Sequence, residues 1–306
     1  MTNAAELGKF NPDMWQWGTD STRPRFLHAM LRVKDFDASL RFYTEVLGMK
    51  PFSERFDVPV RKVSAIYVGY GGYDVGDGVE LVHKWDETGP FSHGSGYTHH
   101  ISIGVPDMDA LVARLDAEGV EWVMRPAALL EGGPRNMFIK DPDGYLVEFI
   151  QTRQPADGKQ YNPKLWCWGT HDVKMRFLHA MIRVRDFEAS LHFYVDLLGM
   201  KPFDERFDVL ERKVTAIFVG YQGYAAGDGV EIVHKWDEIG PFSHGSGYAH
   251  HIAIGVVDVA AEVARLEAAG VKIALRPTIL LDGAPPIAFI EDPDGYSIEL
   301  IQTHRH

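Results

Sequence analysis

Over residues 26–33 apolar and polar positions alternate, the signature of a strand with one buried face. From 37 to 47 the apolar residues recur at helical spacing and stop at Gly48. Alternation returns over 62–69 and 79–85, with 51–56 as the intervening strand of a βαβββ order. The order then restarts. Residues 99–105 read as a strand, 108–118 as a helix stopping at Gly119, and 122–125, 136–140 and 146–150 as three strands around the turn Asp141-Pro142-Asp143-Gly144. Residues 10–152 and 161–303 align at a constant offset of 151 without a gap, so the chain predicts four βαβββ modules in two tandem halves, an α+β protein. The expected division is an N-terminal extension at 1–25, a first domain at 26–152, a linker and pre-strand segment at 153–176, and a second domain at 177–306.

Strand parity decides which side chains can meet. Leu27, Ala29, Leu31 and Val33 are expected to face the helix, leaving His28, Met30 and Arg32 on the other side. Glu80 shares its face with Val82 and Lys84, and Glu148 with Leu146 and Ile150. Of the adjacent histidines 99 and 100, His99 lies on the parity of Ile101, Ile103 and Val105, whereas His100 is followed by the small Ser102 and Gly104 and is the better ligand. His28, Glu80, His100 and Glu148 recur as His179, Glu231, His251 and Glu299, two sets of two imidazoles and two carboxylates. Such a set suits a borderline divalent ion, and six-coordination leaves two positions for water or a pair of substrate oxygens. The ion acts as a Lewis acid and a carboxylate serves as base. His83, His234, His93 and His244 are also repeated, but parity turns His83 away from Glu80.

Composition narrows the setting. A chain of 306 residues with 45% hydrophobic content buries large cores, and a net charge of -12 disfavours nucleic acid and anionic membranes. The single cysteine, Cys167, excludes an intramolecular disulfide and faces Gln16 in the repeat. With no basic n-region or apolar h-region at the start, the expected location is cytoplasmic.

The runs His28-Ala29-Met30-Leu31-Arg32-Val33, Phe42-Tyr43-Thr44-Glu45-Val46-Leu47-Gly48-Met49, Val68-Gly69-Tyr70, Val79-Glu80-Leu81 and Asp141-Pro142-Asp143-Gly144-Tyr145-Leu146-Val147-Glu148 together resemble the vicinal oxygen chelate superfamily and, within it, the glyoxalase I family. The resemblance covers nearly all of each half. It implies curved mixed sheets with helices outside, and metal held by His28, Glu80, His100, Glu148 and their repeats. It also implies assembly across a pseudo-two-fold axis, with one site from His28, Glu80, His251 and Glu299 and another from His179, Glu231, His100 and Glu148. Histidine as first ligand resembles the nickel- or cobalt-activated class, with manganese, iron or zinc as further options. The implied reaction turns the hemithioacetal of a 2-oxoaldehyde such as methylglyoxal and glutathione into a 2-hydroxyacyl thioester. Glu148 or Glu299 would take the C1 proton, and a glutamate, Glu80 and Glu231 included, would return one to C2. Arg32 and Arg183 match the family arginine for the glutamyl carboxylate. The implied protein is a monomer with an internal pseudo-two-fold, open to further dimerisation, acting on a small molecule.

Some positions depart from that pattern. Lys84 and Lys235 stand where the family has an asparagine for the glutamyl arm, and the loops Leu129-Leu130-Glu131-Gly132-Gly133 and Leu280-Leu281-Asp282-Gly283 carry an acid near the place of a thiol-binding lysine, so the charge there is expected to be reversed. The identical stretches 91–97 and 242–248 read as connectors, and Trp15, Trp17, Trp166 and Trp168 as fillers of a domain edge or interface. A thiol-adduct lyase or epimerase would use the same metal chemistry. An extradiol dioxygenase normally uses two histidines and one glutamate, so Glu80 argues against it.

Overall fold

The computed structural model describes residues 23–72, 77–87, 99–155, 174–223, 229–238 and 250–303, with 157, 159, 162 and 166. Trp15, Trp17, Trp168, Cys167, Gln16, His93, His244 and the stretches 91–97 and 242–248 lie outside them.

The described strands form two nine-stranded sheets, and each sheet takes one module from each half. In one, Arg25–Val33 pairs in parallel with Asp77–Lys84 and antiparallel with His250–Val256, which in turn pairs in parallel with Ser297–Gln302. The other repeats this with Arg176–Val184, Gly229–Lys235, His99–Val105 and Leu146–Gln151. The repeats at 26–152 and 177–306 are therefore sequence units, while the sheets are built across them.

Helices and turns follow the polar signals. Asp35, Asp107, Asp186 and Asp258 each cap a helix by accepting the backbone N–H three residues on, at 2.9–3.0 Å. The expected helix at 37–47 is in fact the α-helix Phe36–Arg41 followed by the π-helical turn Phe42–Val46, ending at Gly48 with φ 80°. The wider turn carries Tyr43, whose hydroxyl donates to Asp141 Oδ2 at 2.9 Å, tying the first helix of the half to its later turn. Asp141 Oδ1 accepts the N–H groups of Asp143 and Tyr145. The large shared core lies under the helices and joins both halves, with Phe26 stacked on Phe177 at 5.5 Å.

Two expectations need correction. The strand at 51–56 is instead two short pieces, Lys50–Pro51 and Phe56–Val58, because Pro51 cannot continue a ladder. Leu27 does not face the helix with Ala29, Leu31 and Val33. The register shifts between Phe26 and His28, a bulge that hands the helix-side place to Phe26 and turns Leu27 toward Ala253, Ile287, Phe289 and Ile301. Gly255 makes this possible, since a Cβ there would stand 2.6 Å from Thr303 Cγ2 and 3.3 Å from Leu27. Leu178 and Gly104 repeat the arrangement.

Candidate metal centres

Register places the ligand residues in two neighbouring rows of one sheet face. Glu80, Met30 and His251 lie level across three strands, and His28, Ala253 and Glu299 lie level two residues away. Cross-strand neighbours on one face stand about 5 Å apart and residues two along a strand about 6.6 Å apart, so four long side chains lean to a common centre over the small Ala253. Ser102 takes that place in the other sheet, between His179 and Glu148, with Glu231, Met181 and His100 in the second row.

The geometry brings together the two cross-half quartets and separates neither. In the first, the donor atoms of His28, Glu80, His251 and Glu299 all lie within 4.8 Å of one another. His28 Nε2 is 3.4 Å from Glu80 Oε2 and 3.6 Å from Glu299 Oε2, and His251 Nε2 is 3.7 Å and 3.1 Å from the same atoms. In the second, His100 Nε2 stands 3.3 Å from Glu148 and 3.6 Å from Glu231, and His179 Nε2 3.4 Å and 3.3 Å. The imidazole pairs have centroids 5.8 Å and 5.6 Å apart.

These residues fit a metal. Nε2 of both His28 and His100 is buried and within 3.3–3.6 Å of carboxylate oxygens, yet outside hydrogen-bond geometry. Ligand atoms about 2.0–2.2 Å from one ion lie about 3 Å or slightly more from each other, the spacing seen here. Electrostatics agree that each centre wants a cation. Burial pulls the His28 imidazole down, but Glu299 and Glu80 outweigh it and raise it to about 9. His179 rises likewise to about 9 against its own burial, through Glu148 and Glu231. Burial pushes Glu299 up, but His251 and His28 bring it down to about 2. Glu148 is held well below the carboxylate range against its burial by His100 and His179.

Beside each quartet opens a pocket, of about 310 Å³ at the first and about 490 Å³ at the second. Arg32 and Lys84 line the first, and Arg183 and Lys235 the second. Arg32 Nη2 lies 2.5 Å from Glu87, and Arg183 Nη2 2.6 Å from Glu238, so both arginines are already neutralised. The expected charge reversal in the loops is corrected: Leu280, Leu281 and Pro285, or Leu129, Leu130 and Pro134, face the pockets, while Glu131 and Asp282 are exposed and outside the linings. His83 and His234 face away, bonding the Val33 and Val184 carbonyls. Trp166 is buried and donates to Gly132 O at 2.9 Å.

Sequence reasoning missed Asn136, whose amide donates to Glu148 Oε1 at 2.9 Å, and Arg61, which lines the first pocket. Asn136 could have been found by comparing the halves, since its repeat is Ile287.

Paired sheets that share two His/Glu quartets define a class, and a family model described as Glyoxalase/Bleomycin resistance protein/Dioxygenase superfamily matches residues 25–149 and again 176–300. A lactoylglutathione lyase of Oryza sativa subsp. japonica is 30% identical over 309 residues, covering 99% of this chain and 97% of its own. The crystal structure of glyoxalase I from Zea mays superposes with a TM-score of 0.76 at 30% identity, over 92% of this chain and 93% of that one. A probable lactoylglutathione lyase of Vibrio parahaemolyticus is 40% identical over 135 residues, 44% of this chain but 95% of its own, so one half here corresponds to nearly all of that relative. The chain belongs to the lactoylglutathione lyase, or glyoxalase I, family of that superfamily.

Proposed function

We infer that the chain isomerises the hemithioacetal of a 2-oxoaldehyde, methylglyoxal the simplest, and glutathione to a 2-hydroxyacyl thioester. The observation that carries this is the pair of cross-half His/Glu clusters, the first a buried quartet and the second a triad joined by Glu148 through both imidazoles, each opening on a pocket of substrate size. His28, Glu80, His251 and Glu299 would hold one divalent metal, and His179, Glu231, His100 and Glu148 the other. Nickel or cobalt is the favoured ion. When bound, the metal supplies Lewis acidity to the two vicinal oxygens.

The chain's own groups do the proton work. Glu299, or Glu148 in the second site, removes the C1 proton, and a glutamate of the same quartet delivers a proton to C2, so the adduct is isomerised with no net gain or loss. The apolar pocket walls exclude water from the carbon centre while the proton moves. Arg32 and Arg183, with Lys84 and Lys235, orient the thiol end of the adduct. The working unit is a monomer in which each half completes the other's site, in a reducing cytoplasm.

The test is to reconstitute apoprotein separately with nickel, cobalt, zinc and manganese and follow thioester formation from methylglyoxal and glutathione. Turnover lost in Glu148→Gln/Glu299→Gln is the expected result. Two metals per chain without turnover would remove this substrate while leaving the sites.

A further inference from the structure

Three cations line the pocket beside the first quartet, and two are already answered by acids. Arg32 pairs with Glu87 at 2.5 Å, and Lys84 lies 3.6 Å from Asp86. Arg61 makes no hydrogen bond or ion pair among the described residues. Its Cζ lies 5.2 Å from the centroid of Phe289, whose ring meets His251 edge-on at 5.3 Å. The second pocket repeats the inequality. Of the four cations there, Arg183 pairs with Glu238, Arg206 with Glu188 at 3.0 Å and Lys235 with Asp237 at 3.9 Å, whereas Arg212 reaches only Met124 Sδ, at 3.8 Å.

The backbone around these arginines is unusual in the same way twice. Each ends a short 3-10 turn, Pro59–Arg61 or Leu210–Arg212, closed by a lysine in the left-handed region. Lys62 and Lys213, both at φ 52°, are the only non-glycine residues with positive φ among those described. That region is disfavoured for a residue with a Cβ, and such outliers gather at ligand clamps. Here the turn sets Arg61 over the ring. A guanidinium held over a ring engages none of its N–H donors in a hydrogen bond there, which leaves a fork that matches a carboxylate. The opposite walls, Leu280, Leu281 and Pro285 or Leu129, Leu130 and Pro134, offer an anion nothing.

We propose that Arg61 and Arg212 each hold a carboxylate of the adduct, making them specificity-determining residues, an assignment that rests on the hemithioacetal reading above. The carboxylate could belong to the aldehyde-derived part or to the thiol carrier. With a single ring between Arg61 and His251, the aldehyde-derived part, whose oxygens would lie beside His251 and its quartet, is the nearer source.

The test uses the full metal-loaded chain and Arg61→Gln/Arg212→Gln, with Arg61→Lys/Arg212→Lys as the variant that keeps charge but loses the fork. The kinetic probes are the glutathione adducts of methylglyoxal and of a carboxylate-bearing 2-oxoaldehyde. The binding probes, read by calorimetry, are S-alkylglutathiones of equal length tipped with methyl or carboxylate. The expected result is that the preference in kcat/KM for the charged aldehyde, and the binding preference for the charged tip, both fall on the order of ten- to a hundredfold in the glutamine variant and less in the lysine variant. An equal rise in KM for both aldehydes, with the tip preference kept, would assign the carboxylate to the thiol carrier. Variants that match the parent on every probe would overturn the proposal. Absence of turnover in the parent would instead count against the hemithioacetal reading, while the calorimetry would still report on Arg61.

Discussion

The two centres share residue types and rows, but all four donor atoms lie within 4.8 Å of one another only in the first, and the centres differ where a neighbour touches the glutamate after the Asp-Pro-Asp-Gly turn. Asn136 donates to Glu148 Oε1 at 2.9 Å, whereas the matching Ile287 packs with Leu27, Ala253, Phe289 and Ile301 and gives Glu299 nothing. The ring against the first-strand histidine is Tyr67 in one centre and Phe218 in the other, each 5.1 Å away. The second pocket is also larger, about 490 Å³ against about 310 Å³. The His/Glu set is therefore repeated, while one unrepeated residue changes what holds the carboxylate beside it. Glu299 meets His251 Nε2 at 3.1 Å instead, so each carboxylate has one hydrogen-bonding partner, an amide in one centre and an imidazole in the other.

The largest effect tests the shared part. Glu148→Gln/Glu299→Gln is expected to lower kcat by about 10²–10⁴-fold in steady-state kinetics, the contribution of a positioned general base. The next prediction reverses the asymmetry. With only the second centre working, in a Glu299→Gln background, Asn136→Ile should raise kcat about three- to tenfold by releasing Glu148, and Ile287→Asn in a Glu148→Gln background should lower it by a similar factor.

A third prediction treats the centres as equals. His28 and His179, both raised to about 9, are protonated at pH 7 in the metal-free chain and must lose that proton to bind a metal. Calorimetry in buffers of different ionisation heat should show about one proton released per site. In the metal-free chain these histidines contribute stability that is complete below about pH 6.5 and lost as pH rises through about 9. The smallest effect concerns the identical turns. Burial pushes Asp141 and Asp292 up to about 7, so their contribution to stability is complete below the ordinary aspartate range and lost as pH rises through about 7. Asp141→Asn and Asp292→Asn should each flatten the fall of the thermal midpoint between about pH 4 and 7, by about 2–4 °C and interchangeably.

Much of this was legible because a strand's side chains alternate. Parity alone separated His100 from His99 and set His28 on the face of Met30, and the register agrees. It failed at Leu27, where a bulge inserts a residue that no period-two reading can register. Sheet exchange between halves is invisible to periodicity, since each module reads the same whichever partner it takes. It entered the reading through family resemblance. The direction of Glu131 and Asp282 depends on loop backbone, which composition does not encode. Arg61 was missed because nothing in Pro59-Val60-Arg61-Lys62 announces a left-handed lysine, a conformation usually signalled by glycine or asparagine.

The most direct test of assembly across the halves is to count bound metal in paired histidine variants. His28→Ala/His251→Ala, from opposite halves, should damage one centre and leave about one metal per chain by elemental analysis after dialysis, whereas His28→Ala/His100→Ala, from the same half, should damage both and leave close to none. The reverse pattern, with the same-half pair keeping one metal and the opposite-half pair keeping none, would contradict centres shared between the halves.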